Sequence, residues 1–173
     1  TDRLILRAPR LSDHAAFCAY FAEPRSKWNG GPLGPREVEG MITSAAGGWA
    51  LRGYGLWFVT LKGDETAIGF SGIFHPFDWP EPELGWLVFA PFEGRGIAYA
   101  AALRARQWAY DALGFTTLTS NILPGNARSV ALAERLGARY ERTYQNVTLG
   151  EDMLFRHPGP AELDADGGME AYA

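Results

Sequence analysis

Leu4, Ile5 and Leu6, set between Arg3 and Arg7, predict a short strand ended by Pro9, since proline cannot donate to a sheet ladder. The apolar spacing then lengthens. Phe17, Tyr20 and Phe21 recur at i, i+3 and i+4, which predicts a helix capped by Ser12 and stopped by Pro24. After a Gly/Pro-rich loop from Asn29 to Pro35, Val38, Met41, Ile42 and Ala45 repeat at helical spacing, with Pro35 in the first turn and Gly47-Gly48 as the expected end. Leu56–Lys62 and Thr66–Phe74, rich in β-branched and aromatic residues and joined by Gly63-Asp64-Glu65, predict an antiparallel hairpin.

A proline-rich loop, His75–Pro82, leads to a third apolar run, Leu84–Phe89. Two glycines, Gly94 and Gly96, then open a long helix reaching about Leu113 and closed by Gly114. Ala98, Ala101, Ala102, Ala105, Ala109 and Ala112 form a narrow stripe on it, which reads as packing against a sheet. Phe115–Ile122 predicts another strand, Ala127–Leu136 a helix closed by Gly137, and Ala138–Tyr144 with Asp152–Arg156 a last hairpin. The order β-αα-βββ-α-β-α-ββ describes a mixed α/β domain with helices on both sides of one sheet and no internal repeat.

Composition narrows the function. The chain has 173 residues and a net charge of −4, in the size range of one domain. The domain is expected over 1–156, followed by an extended or loosely packed acidic tail, 157–173, with Glu162, Asp164, Asp166 and Glu170. Residues 1–156 are neutral, which argues against a nucleic-acid-coating domain. Cys18 is the single cysteine, so an intramolecular disulfide and a cysteine metal cluster are excluded, and its place on the first helix reads as core packing. His14, His75 and His157 show no metal-ligand spacing, and no metal is expected. No apolar run approaches the ~18 residues of a membrane helix, and Thr1-Asp2-Arg3-Leu4 lacks a signal peptide's apolar core, so a soluble cytoplasmic domain away from membranes is the expectation.

The chemical signal is Leu87-Val88-Phe89-Ala90-Pro91-Phe92-Glu93-Gly94-Arg95-Gly96-Ile97-Ala98, a strand running into two glycines that open a helix. Glycines let backbone amides approach an anion, and the helix N-terminus adds partial positive charge. A plain strand-to-helix turn would look similar. A dinucleotide fingerprint fails because Tyr99 stands where its third Gly or Ala belongs, and a P-loop fails because no Gly-Lys-Ser/Thr occurs. Gly69-Phe70-Ser71-Gly72-Ile73 misses the last glycine of a hydrolase elbow, leaving Ser71 as a strand residue.

With its flanks, this loop resembles the GNAT superfamily of acyl-CoA N-acyltransferases, whose Gln/Arg-x-x-Gly-x-Gly/Ala loop is matched at Gly94, Gly96 and Ala98. Thr1-Asp2-Arg3-Leu4-Ile5-Leu6-Arg7, Pro82-Glu83-Leu84-Gly85-Trp86, Pro124-Gly125-Asn126-Ala127-Arg128-Ser129 and Ala133-Glu134-Arg135-Leu136-Gly137-Ala138 are similar to its ribosomal-protein N-terminal acetyltransferase branch. The resemblance covers about residues 1–156 and implies the GNAT fold, a mixed, mostly antiparallel sheet of six to seven strands. It implies acetyl-CoA as co-substrate, bound by Leu87, Val88, Phe89, Gly94, Arg95, Gly96, Ile97, Ala98 and Asn126. It also implies direct acetyl transfer to a primary amine, a protein N-terminus or a small molecule, and leaves a homodimer open.

Two catalytic roles come with it. Glu83 matches the carboxylate that accepts the amine proton, and Ser129 matches a serine near the coenzyme sulfur that protonates or orients the thiolate. The chain departs from the pattern at Glu93, at Ala100, and at Ala133, where many relatives carry a tyrosine acid. Asn126 and Ser129 would equally serve as a helix cap and its partner, and Glu83 as a strand-end charge. Trp28, His75 and Trp79 stand in loops expected around the acceptor entrance, where aromatics could clasp a cationic amine or simply cover the core. A non-catalytic acyl-CoA sensor with this fold is the alternative. Residues 92–142 carry seven arginines against four acids, a basic stretch where a polyanionic coenzyme is expected.

Overall fold

The computed structural model describes residues 1–165, so Asp166 and Glu170 of the expected tail lie outside the described residues. Two compact units divide the described chain: Thr1–Phe74 with Leu84–Ala105, and His75–Glu83 with the described residues from Arg106 onward.

The first unit holds strands β1 (Leu4–Arg7), β2 (Leu56–Leu61) and β3 (Gly69–Phe74), and all but the first residue of β4 (Glu83–Val88). β1 and β3 flank β2 in antiparallel register, with Leu4 opposite Leu61 and Leu56 opposite Gly72, as the hairpin pattern predicts. Helices α1 (His14–Phe21) and α2 (Pro35–Arg52) supply Phe17, Tyr20, Phe21, Val38, Ile42 and Ala45 to a core shared with Phe58 and Leu87. These are the residues whose helical spacing marked the two helices.

Helix α1 does not start at a Ser12 cap. A 3-10 turn, Leu11–Asp13, precedes it, and the buried Asp13 takes over the junction. Its carboxylate accepts from Arg10 N–H at 3.0 Å and from both terminal nitrogens of Arg7 at 2.9 and 2.5 Å, tying the end of β1 to the helix start.

Helix α2 does not end at Gly47-Gly48. It runs through both to Arg52 and is capped by Gly53 at φ +74°. Each helix-interior glycine costs about 1 kcal/mol. Docking beyond them offsets this cost: Trp49 Nε1 donates to Leu56 O at 3.0 Å, and the Trp49 ring lies 4.6 Å from that of Trp57.

Helix α3 (Ile97–Leu113) starts in the first unit, where Ile97 and Ala101 pack with Leu4, Val59, Ile68 and Val88. Its alanine stripe is the packing surface expected, with Ala101, Ala102, Ala105 and Ala109 buried; Ala112, in contrast, is exposed. Ser71 is a buried strand residue donating to Gly85 O at 2.9 Å, and Cys18 is half-buried at the core's edge.

The second unit contains β5 (Thr119–Ile122), α4 (Ala127–Arg135), β6 (Arg139–Asn146), β7 (Gly150–Arg156) and α5 (Pro160–Ala165). β5 is shorter than its apolar run suggests, since Phe115–Leu118 stay outside the strand. β7 is antiparallel to β5 on one side and to β6 on the other, pairing Ile122 with Met153 and Tyr144 with Asp152. Glu83 pairs in parallel with Thr119, making the seven-stranded pattern mixed. The class is α/β, as expected. Arg156 clamps Glu81 through two bonds of 2.7 and 2.8 Å, donates to Thr117 Oγ1 at 2.6 Å and pairs with Glu141.

Of the expected tail, residues 157–165 are described. Pro160–Ala165 is helical, and His157 is 2% exposed because its backbone N–H continues the strand pairing, donating to Leu118 O at 3.0 Å. Arg106 Nη1 approaches its Nδ1 at 3.5 Å, which makes Nε2 the protonated nitrogen facing Ser120 Oγ at 2.9 Å. Burial, and then the Arg106 charge, push its pKa down to about 3.

An unfolded histidine gains its proton near pH 6.5, so acid favours the unfolded chain across the window between those values. The stability advantage of wild type over His157→Gln is expected to shrink by about 2 kcal/mol between pH 8 and pH 5, read from urea midpoints. A difference that does not change with pH would contradict a buried neutral imidazole.

Candidate functional site

The first unit contributes the glycine loop. Leu87 and Val88 are buried in the core clusters, and Phe89 packs on Phe17 and Tyr20 at 5.1 and 5.5 Å between ring centroids. Their side chains are occupied by the core, so backbone groups are what this segment can offer a ligand. Gly69 secures the segment from β3: a Cβ there would lie 2.0 Å from Leu87 O, so only glycine allows this approach.

Beyond the strand, Gly94 and Gly96 adopt φ +71° and +73°, left-handed backbone that glycine takes without strain. A Cβ built on Gly94 meets nothing within 4 Å, and one on Gly96 meets only Arg3 Nη2, at 3.7 Å. The loop is therefore an open cradle. Gly96 O accepts the first helical bond, from Ala100 N–H at 3.0 Å, which leaves the amides of Ile97 and Ala98 without an intrahelical acceptor. Ile97 is buried and Ala98 half-buried, so both serve the core while their amides face the helix start.

Two cations adjoin the cradle. Arg3 Nη1 donates to Arg95 O at 3.3 Å, and the exposed Arg95 carries its own guanidinium 5.7 Å from the Phe92 ring. Glu93 forms an ion pair with Arg25, which neutralises its charge beside the glycine loop.

The second unit contributes a buried polar network around Glu83. Asn121 Nδ2 donates to Glu83 Oε2 at 2.9 Å, Tyr144 Oη donates to Asn121 Oδ1 at 3.1 Å, and Asn146 Nδ2 lies 3.4 Å from Tyr144 Oη and 3.5 Å from Asp152 Oδ2. Burial pushes the Glu83 carboxyl well above its ordinary value, with the Asp152 charge adding and the Asn121 bond opposing. Burial likewise pushes Asp152 up to about 6, against hydrogen bonds from Met153 N–H and Asn146. A carboxylate raised in this way is a stronger base and can hold a proton taken from an amine.

Asn126 and Ser129 are brought together. Asn126 caps α4, accepting from Ser129 N–H at 3.3 Å and donating through Nδ2 to Ser129 Oγ at 3.1 Å. Both are half-buried, and Ala133 is fully buried on the same helix.

The nominated acceptor residues fall in both units. Trp28 belongs to the first, in the 3-10 segment Pro24–Asn29, where Lys27 Nζ sits 4.5 Å from the centre of its ring. His75 and Trp79 belong to the second, both half-buried in the 75–82 loop. Phe77 in that loop is fully exposed and was not among the nominated residues.

Four members of the Glu83 network, Asn121, Tyr144, Asn146 and Asp152, also escaped the reading of the sequence. One signal was present. Asp152 and Leu154 alternate on the buried face of β7, so an acid occupies a position where strand periodicity asks for an apolar residue. Among the described residues, no group of three or more His, Cys, Asp or Glu is placed to hold a metal, and no helix is long and apolar enough to cross a membrane.

Known proteins match this chain. The family model for the acetyltransferase (GNAT) domain matches residues 3–139. The crystal structure of an acetyltransferase from Agrobacterium tumefaciens is 35% identical, with a TM-score of 0.83 and 91% of each chain covered. A ribosomal-protein-S5-alanine acetyltransferase from Vibrio fischeri shares the fold at 16% identity and a TM-score of 0.69, with 94% of this chain and 96% of that one covered. The microcin C7 self-immunity acetyltransferase, solved with acetyl-CoA and AMP, shares it at 16% identity and a TM-score of 0.71, with 91% and 93% covered.

Proposed function

The chain belongs to the GNAT acetyltransferase family, and from that premise we propose that it transfers an acetyl group from acetyl-CoA to a primary amine by direct attack in a ternary complex. The observation that carries this reading is the buried Glu83 carboxyl, held at one oxygen by Asn121 and pushed by burial well above its ordinary pKa.

Donor binding is assigned to the first unit. The amides at the start of α3, the open glycine cradle and the cations Arg3 and Arg95 suit a pyrophosphate, the group coenzyme A presents. Backbone groups of Leu87, Val88 and Phe89 are assigned to the pantetheine arm, and Asn126 to an additional hydrogen bond with it.

In the reaction, the acceptor ammonium gives up one proton to Glu83 before attack, which frees the nitrogen lone pair. The nitrogen lone pair forms a bond to the thioester carbonyl carbon, and the carbonyl electrons move to oxygen. When they return, the carbon–sulfur bond breaks with its electron pair on sulfur. The amine's remaining excess proton balances the departing thiolate, which Ser129 Oγ is placed in this scheme to orient by a hydrogen bond. The products are the N-acetyl amide and free coenzyme A thiol. Cys18, the single cysteine, is packed at the core's edge, which supports direct transfer over a cysteine acyl-enzyme.

Thiol release from acetyl-CoA, followed across a panel of N-terminal peptides, polyamines and small primary amines at pH 7–9, tests the proposal. Release above the hydrolysis background with at least one amine class is the expected result. Calorimetric binding of acetyl-CoA with no release on any acceptor would favour the sensor alternative.

A further inference from the structure

We propose that Tyr144 and Asn121 are positioning residues for Glu83, at the end of a one-way series of hydrogen bonds that begins at the backbone of the β6–β7 turn. The inference rests on Glu83 being the base of the proposed reaction. Its direction follows from which atoms can donate. Asn146 Oδ1 accepts Thr148 N–H at 2.8 Å and Leu149 N–H at 3.1 Å, so the turn fixes the orientation of this amide. Nδ2 of Asn146 is thereby turned toward Tyr144 Oη and Asp152 Oδ2, at 3.4 and 3.5 Å.

A phenol that receives one hydrogen bond gives its own proton onward. Tyr144 Oη donates to Asn121 Oδ1 at 3.1 Å, and with that oxygen engaged, Asn121 presents Nδ2 to Glu83 Oε2 at 2.9 Å. Three strands cooperate: β6 sets Tyr144 opposite Asp152 of β7, and β5 sets Asn121 opposite Leu154 of the same strand. Without Tyr144, Asn121 is free to turn its oxygen toward Glu83, where it would repel the carboxylate.

The charged or titratable groups facing Glu83 are Asp152 from β7 and Tyr144 from β6; the contact from β5, Asn121, is neutral. The Asn121 bond favours the ionised form. Losing it therefore raises the pKa of the base, and activity that depends on the carboxylate disappears at a higher pH as the solution is acidified.

Steady-state kinetics of Tyr144→Phe test the proposal, with Asn121→Ala as a second variant and Glu83→Gln as the background for each. The expected result is a kcat lowered about tenfold, an acidic limb of the pH profile displaced upward, an unchanged KM for acetyl-CoA, and no further loss when either change is added to Glu83→Gln. A merely structural role gives the same fractional loss in both backgrounds and an unmoved acidic limb, and would overturn the proposal. Full turnover in Glu83→Gln alone would instead overturn the base assignment, so the two failures are told apart.

Discussion

Replacement of Glu83 by glutamine is expected to lower kcat by about 10²–10³-fold while KM for acetyl-CoA stays within about twofold. Glutamine keeps the size of the side chain and an oxygen able to accept the Asn121 bond, so the local structure should persist. What disappears is the ability to take a proton. Free amines are mostly ammonium ions at neutral pH, and the nitrogen that attacks must shed a proton as the amide forms. The deficit should narrow as pH approaches the acceptor's own pKa, because more of the amine is then already neutral. A buried carboxyl also carries a desolvation cost, so thermal stability should be equal or higher in the variant. Thiol-release kinetics and a thermal melt on the same preparation check both parts, and undiminished turnover with a good acceptor at pH 7 would remove Glu83 from the mechanism.

Gly96→Val is expected to produce the opposite signature, a KM for acetyl-CoA raised roughly 10–100-fold with a much smaller change in kcat at saturation. Gly96 sits at φ +73°, where a side chain with a Cβ costs about 1–2 kcal/mol. Its carbonyl also starts α3, so relaxing that strain moves the amides of Ile97 and Ala98 away from the cradle. Each hydrogen bond from such an amide to a charged phosphate contributes about 1.5–3 kcal/mol, which sets the range of the expected loss. Gly96→Asn, which tolerates left-handed backbone better, should lose less. Calorimetric titration with coenzyme A separates binding from turnover. Equal affinity in wild type and Gly96→Val would show that the pyrophosphate lies elsewhere.

Much of the architecture was legible because short-range chemistry dictates it. Gly94 and Gly96 after an apolar strand, the i, i+3, i+4 spacing of Phe17, Tyr20 and Phe21, and the Gly63-Asp64-Glu65 turn each place an element from its own residues. Departures occurred where a distant contact overrode a local preference. Gly47 and Gly48 favour a helix end, yet the Trp49 contact with Leu56 carries α2 past them. Ser12 favours a cap, yet a 3-10 turn intervenes and Asp13, paired with Arg7, stands at the start of α1 without capping it.

The candidate site divides along the same line. The amino-acid sequence by itself determined the order of the elements and the glycine pair that opens α3, because strand periodicity and turn chemistry are properties of neighbouring residues, while Glu83 was nominated by the family resemblance. Only the tertiary structure decided what surrounds that carboxyl. Asn121, Tyr144, Asn146 and Asp152 come from β5, β6 and β7 and reach 38 residues from Glu83 at the nearest bond, Asn121. Burial and strand register convert a surface-type acid into a raised, hydrogen-bonded carboxyl, and neither is a property that a residue carries in its own position along the chain.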